Sequence, residues 1–340
     1  MPGKSKKKTI LADILTFVFL TVILMIFLRH LDENVFKLLA ETEISMLTLL
    51  LFSCCVMILS EALIYRLAYA DKEIGFSFSN AIDLACIQQF GKVAVITGGA
   101  LPLQSFYLYK KGMMPGKSVG TEAAMYILKK ISVMLYAAAA LCFHWGWFSE
   151  SVPGAFGYVI FSFSVCIVIV IALLLLSTSR RICSFACRMV RKLPSSGKWP
   201  ARKEKLTGQI EAIYTEAQLL FHEKKKMAAV LLLNLAELFL MYCIPWAVGR
   251  MMNLWEPAFF QVQTMSAVML LMAHTLPNIA GMGAPEFSFL TIFSGQFGIY
   301  TTTAMIYYRC ATYYFPFILS FLKILALRKK LSGEPDSGCR

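Results

Sequence analysis

The feature that most constrains this chain is a series of apolar runs, each about as long as a helix that crosses a bilayer. Such a helix needs roughly 20 residues, because hydrocarbon offers no partner for an exposed backbone N–H or C=O group. Only 16% of the residues are charged, against roughly a quarter in soluble domains. An all-α integral membrane fold is therefore predicted, with six full spans: Ile10–Leu28, Ile44–Tyr65, Val119–Trp145, Ala155–Leu176, Met227–Val248 and Thr301–Leu327.

The charges predict how these spans are oriented. Residues 177–226 contain twelve Lys or Arg and four Glu, whereas residues 29–43 contain two basic and four acidic residues. The positive-inside rule places the basic segment in the cytoplasm and the first loop outside. Lysines precede the first span, which is too long for a signal peptide, so we expect a retained anchor and a cytoplasmic N-terminus. The C-terminus is also expected in the cytoplasm, in a multi-pass protein of the cell membrane.

Two further apolar stretches, residues 79–109 and 258–298, are interrupted by Gly and Pro. With both termini inside, the six spans alternate correctly only if each interrupted stretch enters and leaves the membrane by the same face. Both stretches are therefore predicted to be re-entrant, broken-helix hairpins. The alternative is that Gly and Pro merely kink two ordinary helices for packing.

One membrane domain, residues 1–340, is predicted to contain two related halves, each with one hairpin. The first half is 10–176, the basic cytoplasmic segment 177–226 follows, and the second half is 227–330. The octapeptide that begins at Gly98 (GGALPLQS) aligns with the one that begins at Gly281 (GMGAPEFS), matching at the first Gly, the Pro and the Ser. On the predicted topology the two hairpins dip from opposite faces, which makes the halves an inverted repeat. Inverted repeats with broken helices are typical of transporters that bind substrate near the midplane.

Broken helices at membrane depth can bind anions, because their ends present free N–H groups and a positive dipole end. Ionisable residues at this depth are costly and are functional hypotheses by default. We predict that Lys130 and Arg309 neutralise a phosphate and that Glu286 pairs with a cationic headgroup or carries a proton. Carboxylates and cations are expected to pair within each half, Glu61 with Lys129 or Lys130 and Glu237 with Arg309. Fixed ion pairs that only hold helices together are the alternative for Glu61 and Glu237.

Two signatures identify a family that this chain resembles. One is Ile96–Gly99, then Pro102–Gln104 and Tyr107–Gly112; the other is Pro277, Gly281, Gly283 and Glu286, followed by Tyr308–Arg309 and Tyr313–Tyr314. Together they resemble the lysylphosphatidylglycerol synthase transmembrane-region family, the flippase-like membrane half of the bacterial multiple peptide resistance factor. The resemblance covers residues 10–330. It implies a helical membrane domain that moves or accommodates a polar lipid, with Gln104, Glu286 and Arg309 as the carried-over polar positions.

The chain departs from that family in two respects. Leu101–Pro102 stands where many relatives have a Gly-rich or acidic turn, and Ala284–Pro285 precedes Glu286. The headgroup preference of the relatives is therefore not carried over to this chain. Lipid-aminoacylating members also carry a soluble synthase domain after the membrane part, whereas this chain ends at Arg340. We therefore expect no lysyltransferase activity from this polypeptide alone.

The sequence thus predicts a flippase-like protein that binds and translocates an anionic or aminoacylated phospholipid or lipid-linked headgroup. Membrane phospholipids are the expected partners, no cofactor or metal is expected because the four His are scattered, and nucleic acid is not expected. An ion-coupled transporter of a small solute, or a scaffold for a separately encoded lipid-modifying enzyme, remains the alternative. The predicted substrate-binding residues are Gly98, Gly99, Gln104, Tyr107, Lys130, Gly281, Gly283, Glu286 and Arg309.

Overall fold

The computed structural model describes residues 40–70, 75–94, 100–192, 199–276 and 281–333. These residues form twelve α-helices and no strand. In chain order the helices are α1 Ile44–Ala68, α2 Phe78–Ala94, α3 Ala100–Lys110, α4 Pro115–Ser151, α5 Phe156–Thr178, α6 Arg180–Lys192, α7 Trp199–His222, α8 Lys224–Met251, α9 Phe259–Ala273, α10 Ala284–Phe297, α11 Thr301–Arg309 and α12 Phe315–Gly333. The prediction of an all-helical membrane fold is confirmed.

Five segments within the described ranges are long and apolar enough to span a bilayer: Ile44–Ala68, Gly116–Ser151, Pro153–Leu175, Lys224–Met251 and Ala284–Leu327. They correspond to five of the six predicted spans. The last has 44 residues, which is too long for one crossing, and Gly298 interrupts it at a φ of 52° between α10 and α11. The sixth predicted span, Ile10–Leu28, lies outside the described residues.

The chain divides into two compact units, Met1–Thr48 and Leu49–Arg340. In the described part of the first unit, Thr48 Oγ1 donates to the Ile44 carbonyl at the start of α1. The second unit contains every helix from α2 onward and all of the polar clusters described below.

Both Gly/Pro-interrupted stretches form two short helices around a break. α2 and α3 pack along each other on either side of residues 95–99, and α9 and α10 do the same on either side of residues 274–283. With 11 to 17 residues, each of these helices is shorter than the roughly 20 residues of a full crossing. The broken-helix geometry agrees with the predicted hairpins, whereas their entry from opposite membrane faces stays a prediction.

The basic segment folds into α6 and α7, which pack against each other and against the helix bundle. The helical spacing of apolar residues in Ala201–His222 predicts an amphipathic helix at the membrane surface, and that position stays a prediction. In the structure, α7 packs along the first turns of α4. A Cβ atom at Gly120 of α4 would lie 2.4 Å from the Ala212 carbonyl oxygen, so only glycine permits this approach. Ala217 of α7 is fully buried, whereas Leu206 and Leu219 of the same helix stay exposed.

Candidate functional site

Two glycines with left-handed backbone directly precede α10 at the second break. Gly281 has a φ of 75° and Gly283 a φ of 96°, in the left-handed region that side chains rarely adopt. Gly283 is the N-cap of α10, and Pro285 lies in the first turn of that helix, where a missing N–H costs nothing. The glycine and proline residues therefore both end the loop and start α10.

Arg309 binds this turn from α11. Its Nη2 donates to the Gly281 carbonyl oxygen at 2.8 Å, and its Nε lies 2.7 Å from Glu286 Oε1. Glu286 Oε2 in turn accepts a hydrogen bond from the Gly283 N–H at 2.6 Å. Three of the predicted site residues on the second hairpin, Gly281, Gly283 and Glu286, therefore form one connected cluster with Arg309.

A π-helical turn, Cys310–Tyr314, follows Arg309 directly. It places the Tyr313 ring under the guanidinium group, whose carbon lies 4.1 Å from the ring centroid. The cation–π contact holds the guanidinium beside the break. π turns are frequent at functional sites, but sequence analysis could not detect this one, because no local residue pattern distinguishes it from an α-helix. Tyr313 was recognised only as part of a family signature.

Lys130 reaches the same break from α4. Its Nζ donates to the His274 carbonyl oxygen at 3.0 Å and lies 5.4 Å from the centroid of the Tyr126 ring. His274 is the C-cap of α9, where helix carbonyls lack intrahelical partners and the dipole end is negative. A cation thus lies at each edge of the break, Lys130 at the end of α9 and Arg309 beside the start of α10.

At the first break, polar side chains near the end of α2 form a hydrogen-bonded chain. Lys92 Nζ donates to Gln89 Oε1 at 2.9 Å, and Gln89 Nε2 donates to Glu61 Oε2 at 2.6 Å. The Lys92 carbonyl oxygen would lie 3.3 Å from a Cβ atom at Gly281, so the end of α2 contacts the second break. The predicted site residues Gly98 and Gly99 lie outside the described residues.

Gln104 and Tyr107 belong to a separate polar cluster on α3. Gln104 Nε2 donates to Tyr65 Oη at 2.6 Å, and the Tyr107 hydroxyl donates to Asp83 Oδ2 at 2.9 Å. Lys323 of α12 lies 3.2 Å from Asp83 Oδ1. The two hydrogen bonds tie α3 to α1 and α2, and the Lys323–Asp83 pair ties α2 to α12. No described hydrogen bond joins Gln104 or Tyr107 to Arg309 or Glu286, so their role as substrate-binding residues stays a prediction.

The ion pairs do not follow the pairing expected within each half. Lys129 of the first half lies 2.5 Å from Glu237 of the second half, through Nζ and Oε2. Arg309 pairs with Glu286 rather than with Glu237, and Glu61 binds Gln89. The expectation failed because sequence order does not reveal which helix faces meet across the bundle. Hence α4 and α8 are joined by a charge pair that crosses between the halves.

A double-mutant cycle will measure how much the Lys129–Glu237 pair stabilises the fold. The side chains are 31% and 10% exposed, so partial screening reduces their interaction. We expect Lys129→Met, Glu237→Gln and the double variant to give a coupling of about 1 kcal/mol in the free energy of unfolding in mixed micelles. Effects that add to within about 0.3 kcal/mol would show that the pair contributes no net stability.

An apolar groove lies beside the second break. It has a volume of about 370 Å³ and is lined by Leu276, two residues after the C-cap of α9, and by Gly154, Gly157, Tyr158 and Phe161 near the start of α5. Tyr158 also makes an edge contact with Phe287 in the first turns of α10. Charged groups of the break and an apolar surface are therefore neighbours, an arrangement that suits an amphipathic ligand.

Within the described ranges, no three His, Cys, Asp or Glu side chains come close enough together to hold a metal ion. The polar groups at the breaks are instead cations, carboxylates, amides and backbone carbonyls. Such groups can bind a phosphate or an ammonium group by charge and hydrogen bonding.

Comparison with known proteins gives one match. A family model described as "Lysylphosphatidylglycerol synthase TM region" matches residues 10–320. No curated protein and no solved structure matches the chain.

Proposed function

We propose that this chain, which belongs to the lysylphosphatidylglycerol synthase TM region family, binds a phospholipid headgroup at the break between α9 and α10 and carries it across the bilayer. The family links the chain to a membrane domain of lysylphosphatidylglycerol synthesis. Translocation, the cell membrane as its location and the cytoplasmic side for residues 177–226 are parts of this proposal.

The balance of charge around the two breaks carries the proposal. Lys92, Lys129, Lys130 and Arg309 supply four formal positive charges in the hydrogen-bonded clusters, and Glu61, Glu237 and Glu286 supply three negative charges. The surplus of one positive charge matches a single phosphodiester. Because uncompensated charge at membrane depth is costly, a bound phosphate lowers the electrostatic free energy of the site.

The Arg309–Glu286 pair suggests how a headgroup is accepted. In the structure, the Glu286 carboxylate is bound to the Arg309 guanidinium and to the Gly283 N–H. These are the two donors that a phosphate would use. A phosphate that binds Arg309 displaces this carboxylate, and the released Glu286 can then accept the ammonium of an aminoacylated headgroup. Lys130 supplies a second cation at the opposite edge of the break.

The apolar groove favours a lipid over a small soluble solute. Tyr158, Phe161 and Leu276 offer an acyl chain a surface beside the charged break. A water-soluble substrate has no apolar chain to pack on that surface, whereas the acyl chain of a lipid can lie on it by van der Waals contact while the headgroup reaches the charged break.

Headgroup-dependent transport in proteoliposomes tests the proposal. Acyl-labelled phosphatidylglycerol and phosphatidylcholine are reconstituted with the protein, and dithionite reduction reports the label that reaches the outer leaflet. We expect phosphatidylglycerol to move at least about fivefold faster, a preference of about 1 kcal/mol. Equal rates for the two lipids, or rates equal to those of protein-free vesicles, would contradict headgroup translocation.

The variant Lys130→Gln tests whether the charge of Lys130 contributes to this transport. Loss of the ammonium removes one headgroup cation but leaves a side chain able to donate to the His274 carbonyl oxygen. We expect phosphatidylglycerol transport to fall about fivefold. Arg188→Gln is the control, because Arg188 is exposed on α6, away from both breaks, and its transport should be unchanged.

A further inference from the structure

A second apolar groove lies between α1 and α8. It has a volume of about 420 Å³ and is lined by four apolar residues and one cation: Leu63, Leu67, Ala70, Leu233 and Arg66. Pockets of roughly 300–1,000 Å³ are large enough for a ligand of drug size, and an acyl chain needs less width than such a ligand. The groove is open along one side, so it presents its apolar wall to the surrounding hydrocarbon.

The charge on the groove indicates its occupant. Arg66 lies in the last turn of α1 and is half-buried, and it is the one charged residue among the described residues that line the groove. The predicted topology places this end of α1 at the cytoplasmic face. An apolar channel that ends on one cation at the level of the headgroups complements a single anionic phospholipid, with acyl chain on leucine and phosphate on guanidinium.

The groove also lies one helical turn from a charged residue of α8. Leu233 is one helical turn before Glu237 on α8, and residues four apart lie on the same helix face. Glu237 pairs with Lys129, whose side chain is still 31% exposed. A headgroup that moves from Arg66 along α8 therefore meets the ion pair that joins the two halves before it reaches the breaks.

We propose that the α1/α8 groove is a docking site for an anionic phospholipid, with the phosphate on Arg66 and an acyl chain along Leu63, Leu67 and Leu233. Its use as a loading site for transport rests on the proposed function, whereas lipid binding in the groove does not. The site is separate from Arg309 and Glu286, so the two can be tested independently.

Photo-crosslinking tests the docking site. Phosphatidylglycerol and phosphatidylcholine analogues with the same diazirine-bearing acyl chain are reconstituted with the full chain, and labelled peptides are mapped by mass spectrometry. We expect phosphatidylglycerol to label the peptides that contain Leu63–Ala70 and Leu233 at least threefold more than phosphatidylcholine. Arg66→Gln should remove this preference while labelling by phosphatidylcholine stays unchanged, which also shows that the groove is still formed.

Two further variants separate this site from the transport site. Leu233→Trp fills the groove and should lower labelling by both analogues, whereas Arg188→Gln should change neither. Arg309→Gln should keep the labelling preference in the groove even where transport is lost. Equal labelling by the two lipids, or a preference that survives Arg66→Gln, would overturn the docking site and leave only annular lipid there.

Discussion

Arg309→Gln is expected to lower phosphatidylglycerol transport by at least about tenfold, a loss of about 1.4 kcal/mol or more in headgroup binding. The change removes the guanidinium that lies between Gly281, Glu286 and Tyr313. Glutamine keeps a donor for the Gly281 carbonyl oxygen but loses the charge that a phosphate would bind. Initial transport rates in proteoliposomes, normalised to the amount of folded protein, give the measurement.

The same substitution leaves Glu286 as a carboxylate without its cation, which could lower transport by destabilising the fold alone. The double variant Arg309→Gln/Glu286→Gln separates the two causes. It removes both charges, so the thermal unfolding temperature should recover toward that of the unmodified protein while transport stays low. If the double variant transports phosphatidylglycerol at the original rate, the pair is only a structural ion pair and the proposed binding site is wrong.

Gly281→Ala is expected to destabilise the protein by about 2–4 kcal/mol. Two costs add at this position. A φ of 75° is strained for alanine, and the new Cβ atom would lie 3.0 Å from Tyr313 Cε2 and 3.3 Å from the Lys92 carbonyl oxygen. The free energy of unfolding in mixed micelles measures the total effect.

Gly283→Ala is the matched control for that change. Gly283 has a φ of 96°, but its Cβ atom would meet nothing within 4 Å, so alanine there suffers backbone strain alone, about 1–3 kcal/mol. The difference in free energy of unfolding between the two variants measures how closely Gly281 contacts Tyr313 and the end of α2. Equal destabilisation by the two substitutions would mean that this contact is not maintained in the bilayer.

The sequence predicted the spans and the broken helices well, because both depend on local properties. An apolar run of about 20 residues forms a helix in hydrocarbon because its backbone groups need internal partners, and glycine and proline both disfavour the interior of a helix. Gly281, Gly283, Glu286 and Arg309, which the family signature groups, do contact one another, and their role as a binding site stays a prediction.

What the sequence could not predict depends on how helices are rotated about their axes. Lys129 and Lys130 are neighbours in the chain, yet one pairs with Glu237 and the other with the His274 carbonyl oxygen. The assignment of Gln104 to Tyr65, and of Tyr107 to Asp83, likewise depends on which faces of α1, α2 and α3 meet. These contacts are set by tertiary packing, for which a single sequence gives no signal.

Three contacts described above cross between the halves: Lys129 with Glu237, Lys130 with the His274 carbonyl oxygen, and the end of α2 with Gly281. Because they all join α2 or α4 to α8 or the second hairpin, a rocking motion of one half against the other strains them together. Such a motion would have to break the three contacts at once. Under the proposed transport function, opening toward one face of the membrane is therefore expected to be a single cooperative step rather than a gradual one.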